Sequence, residues 1–303
     1  MNKAISVIIP TYNRSAILAE TLKSVCQQTL KLHLFEIIIV DTCSTDDTKN
    51  ICRDVIQKNK NLSIKYHYSD VPGLLAGRHI GAKMALGEIH VFIDDDITVP
   101  ETWLEIIVDS FSDPQLALLG GKSLPLFEVE PAIKLPYHSS PYGGNLCSSL
   151  SLIDLGDKAI EIHPNYIWGL NFSIRKKILF ELDGFHPDAY PPELLYLRGD
   201  GETGLTMKSY ESGLLSRYNP ENVVIHRIPK NRLTFNYLEH RDYLQGISDS
   251  YSEIRKNISI TKNRSLNRSK SYIKGYLYHQ EQVDKNPQLL QWVLRKSYWD
   301  YSF

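Results

Sequence analysis

Along the first 120 residues, short apolar runs alternate with longer stretches whose apolar positions recur at helical spacing. Ile5-Ser-Val-Ile-Ile9 reads as a strand, and a helical pattern follows from Ser15 to about Gln28. The alternation continues with strands over 35–40, 62–68 and 89–93, helices over 45–57, 74–86 and 101–111, and a strand near 116–119. Ser44 or Thr45 is placed to cap the second helix. Runs this apolar belong to a sheet covered on both faces, and strand–helix repetition makes it mainly parallel. Ligands of such sheets bind beyond the carboxyl ends of the strands. The loops 10–14, 41–47, 69–73 and 94–100 all fall there.

From Gly120 to about Pro164 the pattern gives way to Pro, Ser, Gly and Tyr, which predicts an irregular, substrate-facing segment. Beyond it, the spacing predicts a strand over 166–174, helices over 175–182 and 202–212, a strand over 222–226 and a longer helix over 231–254. The tail from Arg255 to Lys274 carries seven Lys or Arg and no acid. It reads either as a solvated basic segment or as a contact for an anionic substrate or membrane surface. The organisation expected is 1–121 and 122–230 as two halves of one domain, then a helical, basic extension over 231–303.

Composition narrows the class. Over 303 residues, 42% are hydrophobic and 23% charged, as in soluble globular proteins. A net charge of −1 gives no electrostatic case for nucleic-acid binding. Four cysteines without paired metal spacing read as reduced thiols in a cytoplasmic protein. No secretory signal is read at Met1-Asn2-Lys3, and no apolar run approaches the roughly 20 residues that span a bilayer. Peripheral contact at the inner membrane face, through residues 255–274, is the one membrane association expected.

The candidate chemistry begins at Val91-Phe-Ile-Asp-Asp-Asp-Ile-Thr-Val-Pro100, where three carboxylates close an apolar strand. Two unit charges about 4 Å apart interact by roughly 4 kcal/mol at an effective dielectric near 20, so the triplet needs compensation. On extended backbone Asp94 and Asp96 share a face and Asp95 points away. Such a pair suits Mg or Mn, and through the ion a diphosphate; a solvated acidic turn is the plain alternative. The loop Pro10-Thr-Tyr-Asn-Arg14 lacks the Gly-x-Gly turn of a dinucleotide site, which argues against NAD.

Ser6-Val-Ile-Ile-Pro-Thr-Tyr-Asn-Arg14, Ile39-Val-Asp-Thr-Cys-Ser-Thr-Asp46, Gly87-Glu-Ile-His-Val-Phe-Ile-Asp-Asp-Asp96 and Gly201-Glu-Thr-Gly-Leu205 occur in a telling order. Together they resemble the family 2 glycosyltransferases, inverting enzymes of the GT-A fold that use nucleotide-activated sugars. The resemblance covers roughly Ala4 to Ile228 and is weak beyond. It implies an α/β GT-A sheet sandwiched by helices, a nucleotide-sugar donor, and a carbohydrate, lipid-linked or other hydroxyl acceptor.

By the same resemblance, Pro10, Thr11, Tyr12, Arg14, Asp41, Arg78, Asp94 and Asp95 border the nucleotide sugar. Asp96, Asp94 and His226 are the implied ligands of a Mn or Mg ion. Glu202 aligns with the family's catalytic acid, with Asp200 its close competitor because the motif is rearranged. Trp168 and Asn171 fall at acceptor-side positions. Two departures stand out: Thr42 where many relatives carry a second acid or Asn, which puts UDP specificity in doubt, and His79 where Asn is usual. A sugar nucleotidyltransferase, or a non-catalytic binding module of the same fold, remains an alternative.

Overall fold

The computed structural model describes residues 3–256 and 268–300. The first half runs β1 (Ile5–Thr11), α1 (Ser15–Cys26), β2 (Phe35–Thr42), α2 (Thr48–Lys58), β3 (Ser63–Ser69), α3 (Leu74–Met84) and β4 (Ile89–Phe92). The short β5 (Ile97–Thr98), then α4 (Trp103–Ser110) and β6 (Leu116–Phe127), follow. Four short strands come next: β7 (His138–Ser139), β8 (Asn145–Cys147), β9 (Leu152–Asp154) and β10 (Ile160–Glu161). The remainder is β11 (Phe172–Arg175), α5 (Lys176–Glu181), α6 (Glu202–Glu211), β12 (Leu215–Ile228), α7 (Phe235–Arg255), α8 (Lys270–Lys285) and α9 (Pro287–Val293).

β3, β2, β1 and β4 lie side by side in parallel register, as the strand–helix alternation predicts. β11 enters antiparallel between β4 and β6, making the sheet mixed. Period-2 alternation divides the core between two faces. Ile37 and Ile39 join Val7, Ile9, Val91 and Ile93 on one face, packed against Leu18, Leu22, Trp103 and Leu104. Ile38 and Val40 join Ile8 and Phe92 on the other, against α3 and residues as distant as Tyr298. Each fully buried side chain of this kind contributes about 1.5–3 kcal/mol.

Four expectations are corrected. Residues 120–127 are strand, not irregular, because β6 continues parallel to β12. The Gly120-Gly121 pair is a close approach rather than a break: a Cβ on Gly121 would lie 1.8 Å from the Asn222 carbonyl oxygen. Residues 164–171 form short 3-10 turns, and only Phe172–Arg175 is strand. α2 begins at Thr48 rather than near Thr45, because Asn13 Oδ1 accepts from the Thr45 and Asp46 N–H groups and holds them in the loop. α3 is buried nearly all round, Arg78 and His79 included, rather than amphipathic.

The C-terminal segment docks back on the core. Tyr298 is fully buried and its carbonyl faces His79 Nδ1 at 3.0 Å, while Trp299 stacks on the His79 ring at 4.1 Å. No helix among the described residues is long and apolar enough to cross a membrane. Of the basic stretch, residues 257–267 lie outside the described residues. All four cysteines are free.

Candidate active site

The loops after β1, β2 and β4 enclose a cleft of about 440 Å³. Pro10, Thr11, Tyr12 and Arg14 line one wall, Thr42 and Cys43 another, and Asp94, Asp95 and Asp96 the floor. Tyr12 stays half exposed at the mouth. Asp41 sits beneath the second wall, accepting from Ser44 N–H at 2.8 Å and Tyr66 OH at 2.7 Å. Thr42 donates its hydroxyl to the Thr11 carbonyl.

The carboxylate triplet is compensated by guanidinium groups. Arg14 Nη1 lies 2.8 Å from both Asp95 Oδ1 and Asp96 Oδ2. Arg232 Nη2 reaches Asp96 Oδ2 at 3.1 Å, and Arg78 Nη2 stands 3.9 Å from Asp94. Thr11 donates to Asp95 at 2.8 Å, so the middle acid anchors the first loop. Yet it does not point away: it lines the same floor as Asp94 and Asp96 and shares Arg14 with Asp96, because the backbone turns at these residues. Burial opposes ionisation of Asp96, but the guanidinium groups of Arg232 and Arg14 outweigh it and hold its carboxyl well below the usual range. Burial with the neighbouring acids pushes Asp94 up to about 6 against the pull of Arg78. About 36% of the Asp94 side chain is exposed, so water in the cleft tempers that rise.

The donor set fits a divalent ion in part. Asp96 Oδ1 is buried without a hydrogen-bond donor and lies 3.5 Å from His226 Nε2. Arg232 Nη1 approaches the same His226 nitrogen at 3.0 Å. A guanidinium can only donate, so His226 presents its Nε2 lone pair and carries its proton on Nδ1. An oxygen and a nitrogen lone pair thus lie on one side of the triplet, with Asp94 beside them. Among the described residues no three such side chains converge into a closed metal cage. An ion there would complete its shell with diphosphate oxygens and water.

Glu202 opens α6 at the edge of this charge cluster. Its Oε2 takes Arg78 Nη1 at 3.3 Å and its Oε1 the Gly169 N–H at 3.0 Å. Arg78 therefore touches both Asp94 and Glu202, with its guanidinium 5.0 Å over the Phe185 ring. A Cβ on Gly169 would fall 1.9 Å from Arg78 Nη2, so any larger residue there would displace the guanidinium from Glu202.

Asp200 is turned away from the cleft. It accepts His186 Nδ1 at 2.7 Å and Ser252 OH at 2.6 Å, and these contacts outweigh burial to keep its carboxyl low. Asn171 is buried and gives its amide to the Asn222 carbonyl at 3.0 Å, tying the β11 entry to β12. Trp168 is partly buried and donates to the Asn165 carbonyl at 3.0 Å.

Two features escape pattern reading. Arg232 follows β12 in an unpatterned turn, and only its distance of six residues from His226 hinted at a shared site. Tyr190-Pro191-Pro192 covers the cleft; the sequence marks it as a turn but not as a wall.

The family model for glycosyl transferase family 2 matches residues 6–181. Among curated relatives, glycosyltransferase AglE of Haloferax volcanii is 34% identical over 117 residues, covering 39% of this chain and 38% of the relative. The chain thus spans less than two fifths of the first curated relatives it matches. Staphylococcus aureus TarS 1–349 in complex with UDP-GlcNAc superposes with a TM-score of 0.58 at 19% identity, covering 96% of this chain and 81% of that one. The mannosyltransferase PcManGT of Pyrobaculum calidifontis, in complex with GDP-Man and Mn²⁺, gives 0.57 at 16% identity, covering 97% and 73%. These likenesses give the fold as GT-A, and with the model matching more than half of its length, the chain belongs to glycosyl transferase family 2.

Proposed function

We propose that the protein is an inverting glycosyltransferase that moves a sugar from a nucleotide-sugar donor to an acceptor hydroxyl. The observation that carries this reading is the Arg78 bridge, which sets Glu202 beside Asp94 and the donor cleft. Glu202 is the base. It takes the acceptor hydroxyl proton as that oxygen bonds to the anomeric carbon and the bond to the diphosphate breaks on the opposite face. The products are an inverted glycoside and a nucleoside diphosphate. Gly169 N–H and Arg78 fix the carboxylate for this step.

Asp94, Asp96 and His226 would hold a divalent ion, in keeping with the Mn²⁺ of the Pyrobaculum calidifontis neighbour. When bound, the ion supplies Lewis acidity to the departing diphosphate. Thr11, Tyr12, Arg14 and Arg232 position the nucleotide and its phosphates, and Asp41, buried beneath the wall, supports the loop from below. The donors seen in the two neighbours, UDP-GlcNAc and GDP-Man, define the series to test.

Thermal-shift titration with UDP-, GDP- and dTDP-sugars, with Mn or Mg, checks the reading. One nucleotide series is expected to raise the midpoint in a metal-dependent manner, and Asp96→Asn to abolish that rise. Failure of every nucleotide with every divalent ion would overturn it.

A further inference from the structure

Arg232 sits on two of the side chains assigned to the ion. It closes the 3-10 turn Lys230–Arg232 that follows β12. Its Nη2 donates to Asp96 Oδ2 at 3.1 Å and its Nη1 to His226 Nε2 at 3.0 Å. One planar guanidinium thus spans a carboxylate and an imidazole whose side chains are each only 4% exposed. Arg14 takes the same Asp96 oxygen at 2.8 Å. Asp96 Oδ1, buried 3.5 Å from His226 Nε2, is left without a donor.

The turn that carries Arg232 is held in place, so the side chain is the part free to move. Arg232 N–H donates to the Pro229 carbonyl at 2.9 Å, and Lys230 N–H to Glu128 Oε2 at 3.2 Å. Leu233, next in the chain, is buried in a small apolar cluster with Cys147, Leu150 and Ile228. Thr234 then caps α7, accepting from the Tyr237 N–H at 3.2 Å. Beyond this anchor the Arg232 side chain is 18% exposed and lines the donor cleft with Thr11 and Arg14. Withdrawal from Asp96 and His226 therefore leaves the guanidinium in the cleft.

A neutral imidazole nitrogen has a single lone pair, which cannot serve a guanidinium and a metal ion together. Arg232 must therefore leave His226 before an ion is held there, and repulsion between like charges opposes its staying at Asp96. An ion alone gives the displaced guanidinium no acceptor in exchange. A diphosphate does, because its oxygens match the planar donor fork and carry more charge than a carboxylate. We propose that Arg232 holds the ion's place in the free protein and crosses to the diphosphate on binding, so that ion and nucleoside diphosphate are taken up as a pair. Arg232 is then a positioning residue whose departure frees the His226 lone pair. This rests on the assignment of Asp94, Asp96 and His226 as ion ligands above.

Uptake of Mn²⁺ by the full chain, read from the electron paramagnetic resonance signal of the free ion, tests this without turnover. The wild-type protein is expected to bind Mn²⁺ about tenfold or more tightly with UDP or GDP than without, after correction for ion held by the nucleotide itself. Arg232→Gln is expected to bind Mn²⁺ alone about tenfold or more tightly than wild type, and to gain less from the nucleotide. Arg232→Lys keeps the charge but cannot span both ligands, and is expected to fall between the two. Arg227→Gln removes a neighbouring positive charge that pairs with Glu20 and Glu128, and should leave Mn²⁺ affinity within about twofold. Circular dichroism checks that the variants fold. Equal or weaker Mn²⁺ binding in both Arg232 variants, or equal tightening in Arg227→Gln, overturns the proposal and leaves the ion site standing. Failure of every one of these proteins to bind Mn²⁺, with or without UDP or GDP, overturns the parent assignment and the proposal with it. Undiminished Mn²⁺ binding by Asp96→Asn does the same.

Discussion

At the scale of residues, the site is a balance between three carboxylates and three guanidinium groups. Asp94, Asp95 and Asp96 face Arg14, Arg78 and Arg232, which answers the repulsion that the sequence poses. A divalent ion bound there would add two positive charges to this cluster and a donor diphosphate would return negative ones, so on the proposed reading each would favour the other's binding. Arg232 touches Asp96 and lines the cleft, and is placed to pass from the acid to a phosphate. Arg232→Gln is expected to weaken nucleoside diphosphate binding about 10- to 100-fold, the worth of one charge-assisted hydrogen bond. Calorimetry in the presence of Mn measures it. The Asp-Asp-Asp run and Glu202 were legible because they sit at the ends of well-patterned elements. Arg232 was not, since nothing local distinguishes an arginine aimed at a site 136 residues away along the chain from one aimed at water.

Element boundaries were readable wherever apolar period alone set them, as in β1, β2, β4 and α6. They failed where a side chain captured backbone donors, as Asn13 does before α2, or where glycine signalled contact rather than a turn, as in β6. Gly121→Ala is accordingly expected to separate β6 from β12 and to lower the unfolding midpoint. Full retention of the midpoint would contradict the packing described. Asp200 belongs to this scale too. Through His186 and Ser252 it joins the start of α6 to α7. Asp200→Asn should cost about 1–3 kcal/mol by chemical denaturation, the price of leaving buried partners unpaired.

For the whole molecule, the C-terminal segment completes the core rather than hanging from it. Tyr298 is buried against Tyr251, Trp292 and His79, so Tyr298→Ala should cost about 3–5 kcal/mol. Pattern reading stopped at the helices here because the docking is aromatic and nonlocal. The fold also carries an acid liability. Burial holds His79 and His90 down at about 3 and His279 at about 4. Their unfolded values lie near 6.5, so below that pH the unfolded chain binds more protons and stability falls as pH falls. The loss between pH 7.5 and 5.5 is expected to reach up to about 4 kcal/mol for the three together. Urea unfolding at the two pH values checks this, and equal stabilities would contradict it.

The central claim is that Glu202, not Asp200, takes the acceptor proton. The direct measurement is the turnover rate of nucleoside diphosphate release from the donor series that binds, for Glu202→Gln and Asp200→Asn beside the wild type. Loss of a general base predicts a fall of about 10²- to 10⁴-fold for Glu202→Gln with donor affinity retained, and activity per folded molecule near wild type for Asp200→Asn. A collapse in Asp200→Asn with Glu202→Gln still active would contradict the account.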